Sequence, residues 1–97
     1  MERNGISLHE LFVFAAFTHA KGKWLTNVEV AEMVASSVRP RTVRLHTKGL
    51  ADVGILEQAP VFPGHRYRLS EHVPQRGTSH LTRLQRAAEV FSIALAA

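Results

Sequence analysis

Residues 26–56 read TNVEVAEMVASSVRPRTVRLHTKGLADVGIL and predict two helices, a short turn between them and an apolar segment after the second helix. The first helix begins after Thr26, because a threonine followed three residues later by Glu29 forms a capping box. The second helix begins at Pro40, since the missing N–H of proline costs nothing at the first helical position. It ends at Gly54, because glycine readily adopts the left-handed conformation that follows many helices.

The apolar residues of these two helices recur at helical spacing, which gives each helix one inward face. The stripe predicted for the first helix is Val28, Ala31, Val34 and Ala35. The stripe predicted for the second helix is Val43, Thr47, Leu50 and Val53. We therefore expect both helices to be amphipathic and to pack on a common core.

The face of the second helix that lies opposite its stripe is predicted to be basic. Its members are Arg41, Arg44, Leu45, Lys48 and Asp52. The whole segment 38–51, which also holds Arg39 and His46, contains no acidic residue. A merely solvated helix face usually mixes charges of both signs to form pairs along the helix. A segment whose charges have one sign repels itself and suits a polyanion, so the acid-free run 38–51 favours a nucleic-acid partner.

Composition supports one basic globular domain, residues 1–97, because 45% of the residues are hydrophobic and the formal net charge is +4. A basic balance favours nucleic acid or another anionic surface as the partner. The chain has no cysteine, which excludes disulfides and thiolate metal sites and fits a reducing cytoplasm. The apolar run at residues 11–17 is too short to span a membrane. We therefore expect a cytoplasmic protein without a membrane segment.

A further helix and a short strand are predicted before Thr26. Ser7 and Glu10 form a second capping box, which opens a helix that runs to about residue 20. Trp24 and Leu25 then form a very short strand. Trp24 is interpreted as a core residue in preference to a stacking platform for bases.

A β-hairpin is predicted after Gly54. Residues 55–59 and 65–70 pair as its strands, because Pro63 and Gly64 suit the two central positions of a type II turn. Arg66 and Arg68 are two residues apart in the second strand, so they lie on the same face. The hairpin is therefore a second candidate for contact with a polyanion.

The C-terminal part of the chain is predicted to be a linker, residues 71–78, and a final helix, residues 79–96. Pro74 and Gly77 disfavour regular structure in the linker, and Thr78 or Ser79 caps the helix. The apolar residues of the helix repeat like a coiled-coil seam. They are Leu81, Leu84, Ala88, Phe91 and Leu95. Such a helix docks on its own domain or on a second copy, and the breadth of the face favours a homodimer.

In this order of elements the chain resembles the winged helix-turn-helix family of bacterial transcription regulators, such as the MarR and ArsR types. The resemblance covers residues 7–70. The residues that carry it are Thr42, Val43, Arg44, His46, Lys48, Leu50 and the segment VGIL at 53–56. It implies a mainly α fold with a small β-hairpin: helix, short strand, helix, helix and hairpin, followed here by a C-terminal helix. It also implies that the helix from Pro40 enters the major groove of DNA, while the hairpin touches the flanking backbone or the minor groove.

The expected function is sequence-specific binding of double-stranded DNA by a small dimeric transcription regulator. The residues expected to contact DNA are Arg39, Arg41, Thr42, Arg44, Leu45, Lys48, Arg66 and Arg68. Two features depart from the family pattern. Family members commonly carry leucine at the position of Thr47, whereas leucine here is Leu45, on the predicted outer face. In addition, Arg39 precedes the second helix where a serine, threonine or aspartate cap is usual.

Two other functions are compatible with the sequence. One is a protein-interaction scaffold with Phe14, Phe62 and Phe91 as its anchors. The other is binding of RNA or single strands, favoured by Tyr67 between two arginines. An enzyme is not expected, because no catalytic constellation or glycine-rich phosphate loop occurs. The six histidines lack the spacing of a metal site, so we expect no metal. A chain of this length shows no pocket signature, so we expect no cofactor and no small-molecule effector.

Overall fold

The computed structural model describes residues 7–34, 37–61 and 64–96, with side chains as far as residue 89. In chain order the elements are α1 (Leu8–Ala20), β1 (Leu25–Thr26), α2 (Asn27–Met33), α3 (Pro40–Asp52), β2 (Leu56–Pro60), β3 (His65–Leu69) and α4 (Gln75–Ala96). The described part is thus mostly helical, with four helices and one small antiparallel sheet. The predicted mainly α composition and the predicted order of elements are confirmed.

The first two helices begin at the predicted caps. The Ser7 hydroxyl accepts a hydrogen bond of 3.1 Å from the Glu10 N–H. The capping box of α2 is complete, because the Thr26 hydroxyl accepts from the Glu29 N–H at 3.2 Å and the Glu29 carboxylate accepts from the Thr26 N–H at 2.8 Å. Side chains close to the helix starts therefore determine where α1 and α2 begin.

The sheet has the strand order β1-β3-β2, so β3 is its central strand. Tyr67 of β3 faces Leu25 on one side and Gln58 on the other. At the hairpin turn the Val61 N–H donates to the Gly64 carbonyl at 3.0 Å, and Gly64 has a φ of +96°. The predicted hairpin is confirmed, and the φ of Gly64 fits its predicted turn position; Pro63 lies outside the described residues.

The core lies between α1, the two helices α2 and α3, the sheet and the first half of α4. Its largest fully buried side chains are Phe17, Leu50, Ile55, Leu84, Val13, Val30, Val43 and Thr47. The stripe predicted for α2 is wrong at Val28, which is 70% exposed, whereas Val30 is fully buried. The two residues are about 200° apart around the helix, so only one of them can face inward. Ala35, the last member of that stripe, lies outside the described residues.

The start of the last helix differs from the prediction, because α4 begins at Gln75 and not near Ser79. The Pro74 carbonyl accepts from the Gly77 N–H at 2.8 Å and from the Thr78 hydroxyl at 3.3 Å. Thr78 therefore bonds back to the preceding turn from inside the helix and does not cap it. The predicted linker 71–78 is shortened to the residues before the helix.

Gly77 is buried in the first turn of α4, where a linker was predicted. A Cβ atom at this position would collide with the Val53 carbonyl oxygen and lie 3.1 Å from Cγ1 of Val73. Gly54, with a φ of +82°, is similarly close to the ring of Pro74. Glycine is required at both positions because the start of α4 lies directly on the end of α3.

The first half of α4 packs on its own chain. Nε2 of His80 lies 2.7 Å from Oε2 of Glu10 on α1, and Leu84 has no exposed surface. Leu81 and Ala88 pack, partly buried, against the same core. Leu84 is therefore a core residue of the single chain, not the dimer contact that the seam predicted. The side chains of Phe91 and Leu95 lie outside the described residues.

None of the helices in the described ranges combines the length and the hydropathy that a membrane span requires.

Candidate nucleic-acid interface

The outer face of α3 is exposed as predicted. Arg41, Arg44 and Lys48 are exposed, and the side chain of Leu45 is 66% exposed. On the opposite face Val43 and Leu50 are buried in the core. Thr42 is half-buried at the edge between the two faces. The helix therefore presents a convex, basic surface with one aliphatic side chain in its middle.

The positive charges of this surface are not neutralised within the described ranges. The side chains of Arg39, Arg41, Arg44 and Lys48 take part in no hydrogen bond or ion pair with any residue that the structure describes. The nearest acidic residue on α3 is Asp52, at its C-terminal end. Unpaired like charges on one helix destabilise it slightly, and a bound polyanion would remove that cost.

Thr47, which stands where the resembled family commonly has leucine, points inward. Its hydroxyl donates to Oδ1 of Asn27 at 2.7 Å, and the residue has no exposed surface. The threonine thus fills a core position and satisfies its hydroxyl on the first residue of α2. The buried face of α3 is therefore the predicted one, and Leu45 lies on the outer face, as predicted.

The N terminus of α3 has the second departure that the sequence showed. Arg39 occupies the cap position in an extended conformation, and its side chain makes no capping hydrogen bond. Pro40 follows as the first helical residue, as predicted. Arg39 is exposed, so its guanidinium lies at the start of the basic face.

The two arginines of β3 lie on the same face of the sheet, as predicted, and both contact Trp24. Cζ of Arg66 is 4.8 Å from the centroid of the Trp24 ring, and Cζ of Arg68 is 4.4 Å from it. Trp24 is half-buried and does not belong to the hydrophobic core. The interpretation of Trp24 as a core residue is therefore wrong: its ring is a support for two guanidinium groups.

The two arginines differ in their remaining contacts. Nε of Arg68 donates to Oε2 of Glu57 at 2.7 Å, across the hairpin. Arg66 is exposed, and within the described residues it has no carboxylate partner. The hairpin thus holds one arginine that is neutralised and one that is available to an anion.

The residues that favoured the other two functions are largely buried. Tyr67 is 5% exposed and belongs to the core, so its ring cannot stack on a base. Phe14 is 3% exposed and also belongs to the core, so it is not a surface anchor for a partner. Both expectations are therefore wrong, because Tyr67 of β3 and Phe14 of α1 point into the core. Phe62 and the side chain of Phe91 lie outside the described residues.

A groove that the sequence did not indicate lies between α1, the end of β3 and α4. Its volume is about 560 Å³, and its walls include Phe14, Leu69 and Leu81, with Thr18 and Gln85 as polar members. Its residues come from segments far apart in the chain. No short motif could therefore have revealed it.

Metal-ligating side chains are dispersed over the part of the chain that the structure describes. No group of three or more histidine, aspartate or glutamate side chains comes together there. His80 has Glu10 as its neighbour, and both are mostly buried between α1 and α4. Their contact joins two helices and leaves the basic face of α3 unaffected.

Comparison with known proteins gives no match to any protein-family model, to any curated protein or to any solved structure.

Proposed function

We propose that the chain is a winged helix-turn-helix protein that binds double-stranded DNA through α3. The order of elements supports this proposal, since α2 and α3 follow a short strand and precede a hairpin that pairs with that strand. The observation that carries it is the outer face of α3: Arg41, Arg44 and Lys48 are exposed and unpaired among the described residues. Bound phosphate would supply the missing counter-charge.

In this proposal the outer face of α3 reads bases from the major groove. The groove is wide enough to admit a helix, and arginine donates two parallel hydrogen bonds to guanine. Arg41 and Arg44, which are exposed, would make such contacts, and the exposed Leu45 would offer an aliphatic surface to a thymine methyl group. Arg39 and Lys48, together with the edge residue Thr42, contact phosphates and fix the register of the helix.

The hairpin adds a phosphate contact beside the groove. Arg66 supplies it, because it is exposed and has no carboxylate partner among the described residues. Arg68 is bound to Glu57 and contributes less. The proposed activity is that of a small transcription regulator of bacterial type, which acts on DNA in the cytoplasm.

A homodimer belongs to the proposal, since a palindromic site is read by two copies. Because Leu84 is buried in its own chain and Leu81 and Ala88 pack against the same core, we assign the seam to the sequence positions of Phe91 and Leu95. Size-exclusion chromatography with light scattering tests this directly. If the wild type is a dimer and Leu95→Ser is a monomer, the proposed dimer contact is supported. A wild type that stays monomeric at all concentrations contradicts it.

Selection of bound sequences from a random pool of duplex DNA tests the function itself. We expect an enriched motif, and an inverted repeat if two copies bind together. Salt-dependent binding without enrichment would indicate an architectural role. Preference for RNA or single strands of equal length would contradict the proposed groove contact.

A double variant then tests the assignment of α3. We expect Arg44→Ala with Lys48→Ala to weaken binding to the selected duplex by about 50-fold to 100-fold, since a lost base contact costs about tenfold and a lost phosphate contact about fivefold to tenfold. The matched control is Arg83→Ala with Arg86→Ala, which removes two exposed charges from α4. Equal losses in both double variants would show that net charge, and not the α3 face, governs binding.

A further inference from the structure

The indole ring of Trp24 lies against both guanidinium groups of β3. The two Cζ atoms are 4.8 and 4.4 Å from its centroid, for Arg66 and Arg68 respectively. A guanidinium within about 6 Å of an aromatic centroid is attracted by the negative face of the ring. One aromatic ring thus restrains two long side chains that would otherwise sample many rotamers in solvent.

The strand register makes the two arginines unequal. Arg68 faces Glu57 in the ladder between β2 and β3, and its Nε donates to that carboxylate at 2.7 Å. Arg66 faces Ala59 on one side and Thr26 on the other, so no carboxylate is opposite to it. The cluster of Trp24, Glu57, Arg66 and Arg68 therefore carries one net positive charge, and this charge is on Arg66.

We propose that Trp24 is a positioning residue that orients Arg66 toward a DNA phosphate. Glu57 binds Arg68 and thereby keeps it from contacting that phosphate. The proposal rests on the proposed function. Stacking on the ring reduces the rotamer freedom that Arg66 loses when it binds, which lowers the entropic cost of the contact. Neutralisation by Glu57 keeps two adjacent guanidinium groups from repelling each other over the same ring.

Salt-dependent DNA binding separates the two arginines. We expect Arg66→Ala to weaken duplex binding about fivefold to tenfold and to lower the slope of log affinity against log salt by about one, the loss of one phosphate contact. The double variant Arg68→Ala with Glu57→Ala removes the neutral pair and leaves the one net positive charge on Arg66, so it causes a smaller loss and leaves the slope unchanged. Arg83→Ala, which removes an exposed charge from α4, is the control for net charge.

Substitution of Trp24 tests its positioning role. Trp24→Leu weakens binding about threefold, and Trp24→Phe restores most of the loss because phenylalanine keeps an aromatic face. The double variant Trp24→Leu with Arg66→Ala binds no more weakly than Arg66→Ala alone, since the two residues act through one contact. A purely structural Trp24 would instead add its own loss to that of Arg66.

Fluorescence supplies a readout that does not require DNA. Trp24 is the only tryptophan of the chain, so its emission reports on this cluster alone. We expect Arg66→Ala to shift the emission of the free protein, and duplex DNA to shift it in the wild type but not in Arg66→Ala.

The outcomes distinguish this inference from the proposed function. Absence of duplex binding by the wild-type chain overturns the proposed function and this inference with it. Duplex binding in which the double variant Arg68→Ala with Glu57→Ala lowers the salt slope as much as Arg66→Ala overturns the inference alone. Additive losses for Trp24→Leu and Arg66→Ala, or an emission that Arg66→Ala leaves unchanged, also overturn the inference alone.

Discussion

The Thr47 hydroxyl donates a hydrogen bond of 2.7 Å to Oδ1 of Asn27 and thereby joins the buried face of α3 to the first residue of α2. Thr47 has no exposed surface, so its hydroxyl bonds to protein acceptors in place of water: Oδ1 of Asn27 and, at 3.2 Å, the Arg44 carbonyl oxygen of its own helix. The bond accounts for a polar residue at a core position of α3. Because residues two positions apart in a helix point to nearly opposite sides, the inward Thr47 leaves Leu45 pointing outward with the basic side chains.

Removal of the Thr47 hydroxyl is expected to destabilise the fold. Thr47→Val keeps the branched shape but leaves the half-buried Asn27 amide without its partner, at a cost of about 1–3 kcal/mol in the free energy of unfolding. Urea denaturation measures this loss. The control is Thr42→Val on the same helix, whose hydroxyl makes no hydrogen bond within the described residues and whose substitution is expected to cost under about 0.5 kcal/mol. Equal losses at the two positions would argue against a role for the Asn27 bond.

Alanine at Gly77 is expected to destabilise the protein, although alanine normally favours a helix. Its methyl group would collide with the Val53 carbonyl oxygen, which is backbone and cannot move aside. We expect a loss of about 1–3 kcal/mol, as for overpacked cores. Gly49→Ala is the matched control, because a Cβ there meets nothing within 4 Å, and it should stabilise α3 by about 0.5–1 kcal/mol. Thermal denaturation of both variants shows whether each substitution raises or lowers the stability. Stabilisation by Gly77→Ala would contradict the close packing of α4 on α3.

Loss of the contact between His80 and Glu10 is expected to loosen the start of α4. The two atoms are 2.7 Å apart and the side chains are only 20% and 14% exposed, so His80→Ala leaves a mostly buried carboxylate without this partner. We expect a cost of about 1–2 kcal/mol and faster amide exchange in the first turns of α4. Hydrogen exchange with mass spectrometry measures both helices. His72→Ala, at an exposed position outside the helices, is the control and should leave exchange in α4 unchanged.

Replacement of Leu45 is expected to change sequence preference more than affinity. Leu45→Ser removes the aliphatic surface proposed to contact a thymine methyl group but no charge, so the salt slope of DNA binding stays constant. The selected motif should lose preference for an A·T pair at one position of each half-site. Val28→Ser, a 70% exposed valine on α2, is the control. An unchanged motif in the Leu45 variant would place this side chain outside the groove.

Helix starts and the hairpin could be predicted because they depend on residues close together in the chain. The Ser7 cap and the Thr26 capping box span four residues each, and the hairpin follows from a turn glycine between two strand-forming runs. The start of α4 could not be predicted in this way. Pro74 and Gly77 are typical of a linker, and only the packing of Gly77 against Val53 shows why a glycine belongs in that helix.

The basic face of α3 could be predicted from periodicity, but which of the two hairpin arginines is paired with a carboxylate could not. Alternation places Arg66 and Arg68 on one face, and the structure agrees. The register of β2 against β3 is what brings Glu57 to Arg68 and leaves Arg66 without a carboxylate among the described residues. The ring of Trp24 joins them because β1 pairs with β3, a contact between segments about 40 residues apart.

By itself, the sequence determined the elements, their order and the sign of the charge on α3, because caps, turns and helical periodicity act over a few residues. The assignment of polar side chains to partners depended on the tertiary structure. Thr47 and Asn27 are 20 residues apart in the chain, and His80 and Glu10 are 70 apart. Such pairs form only when packing brings their helices together, so the same fold that buries Leu84 within one chain also selects Arg66 as the available charge of the hairpin.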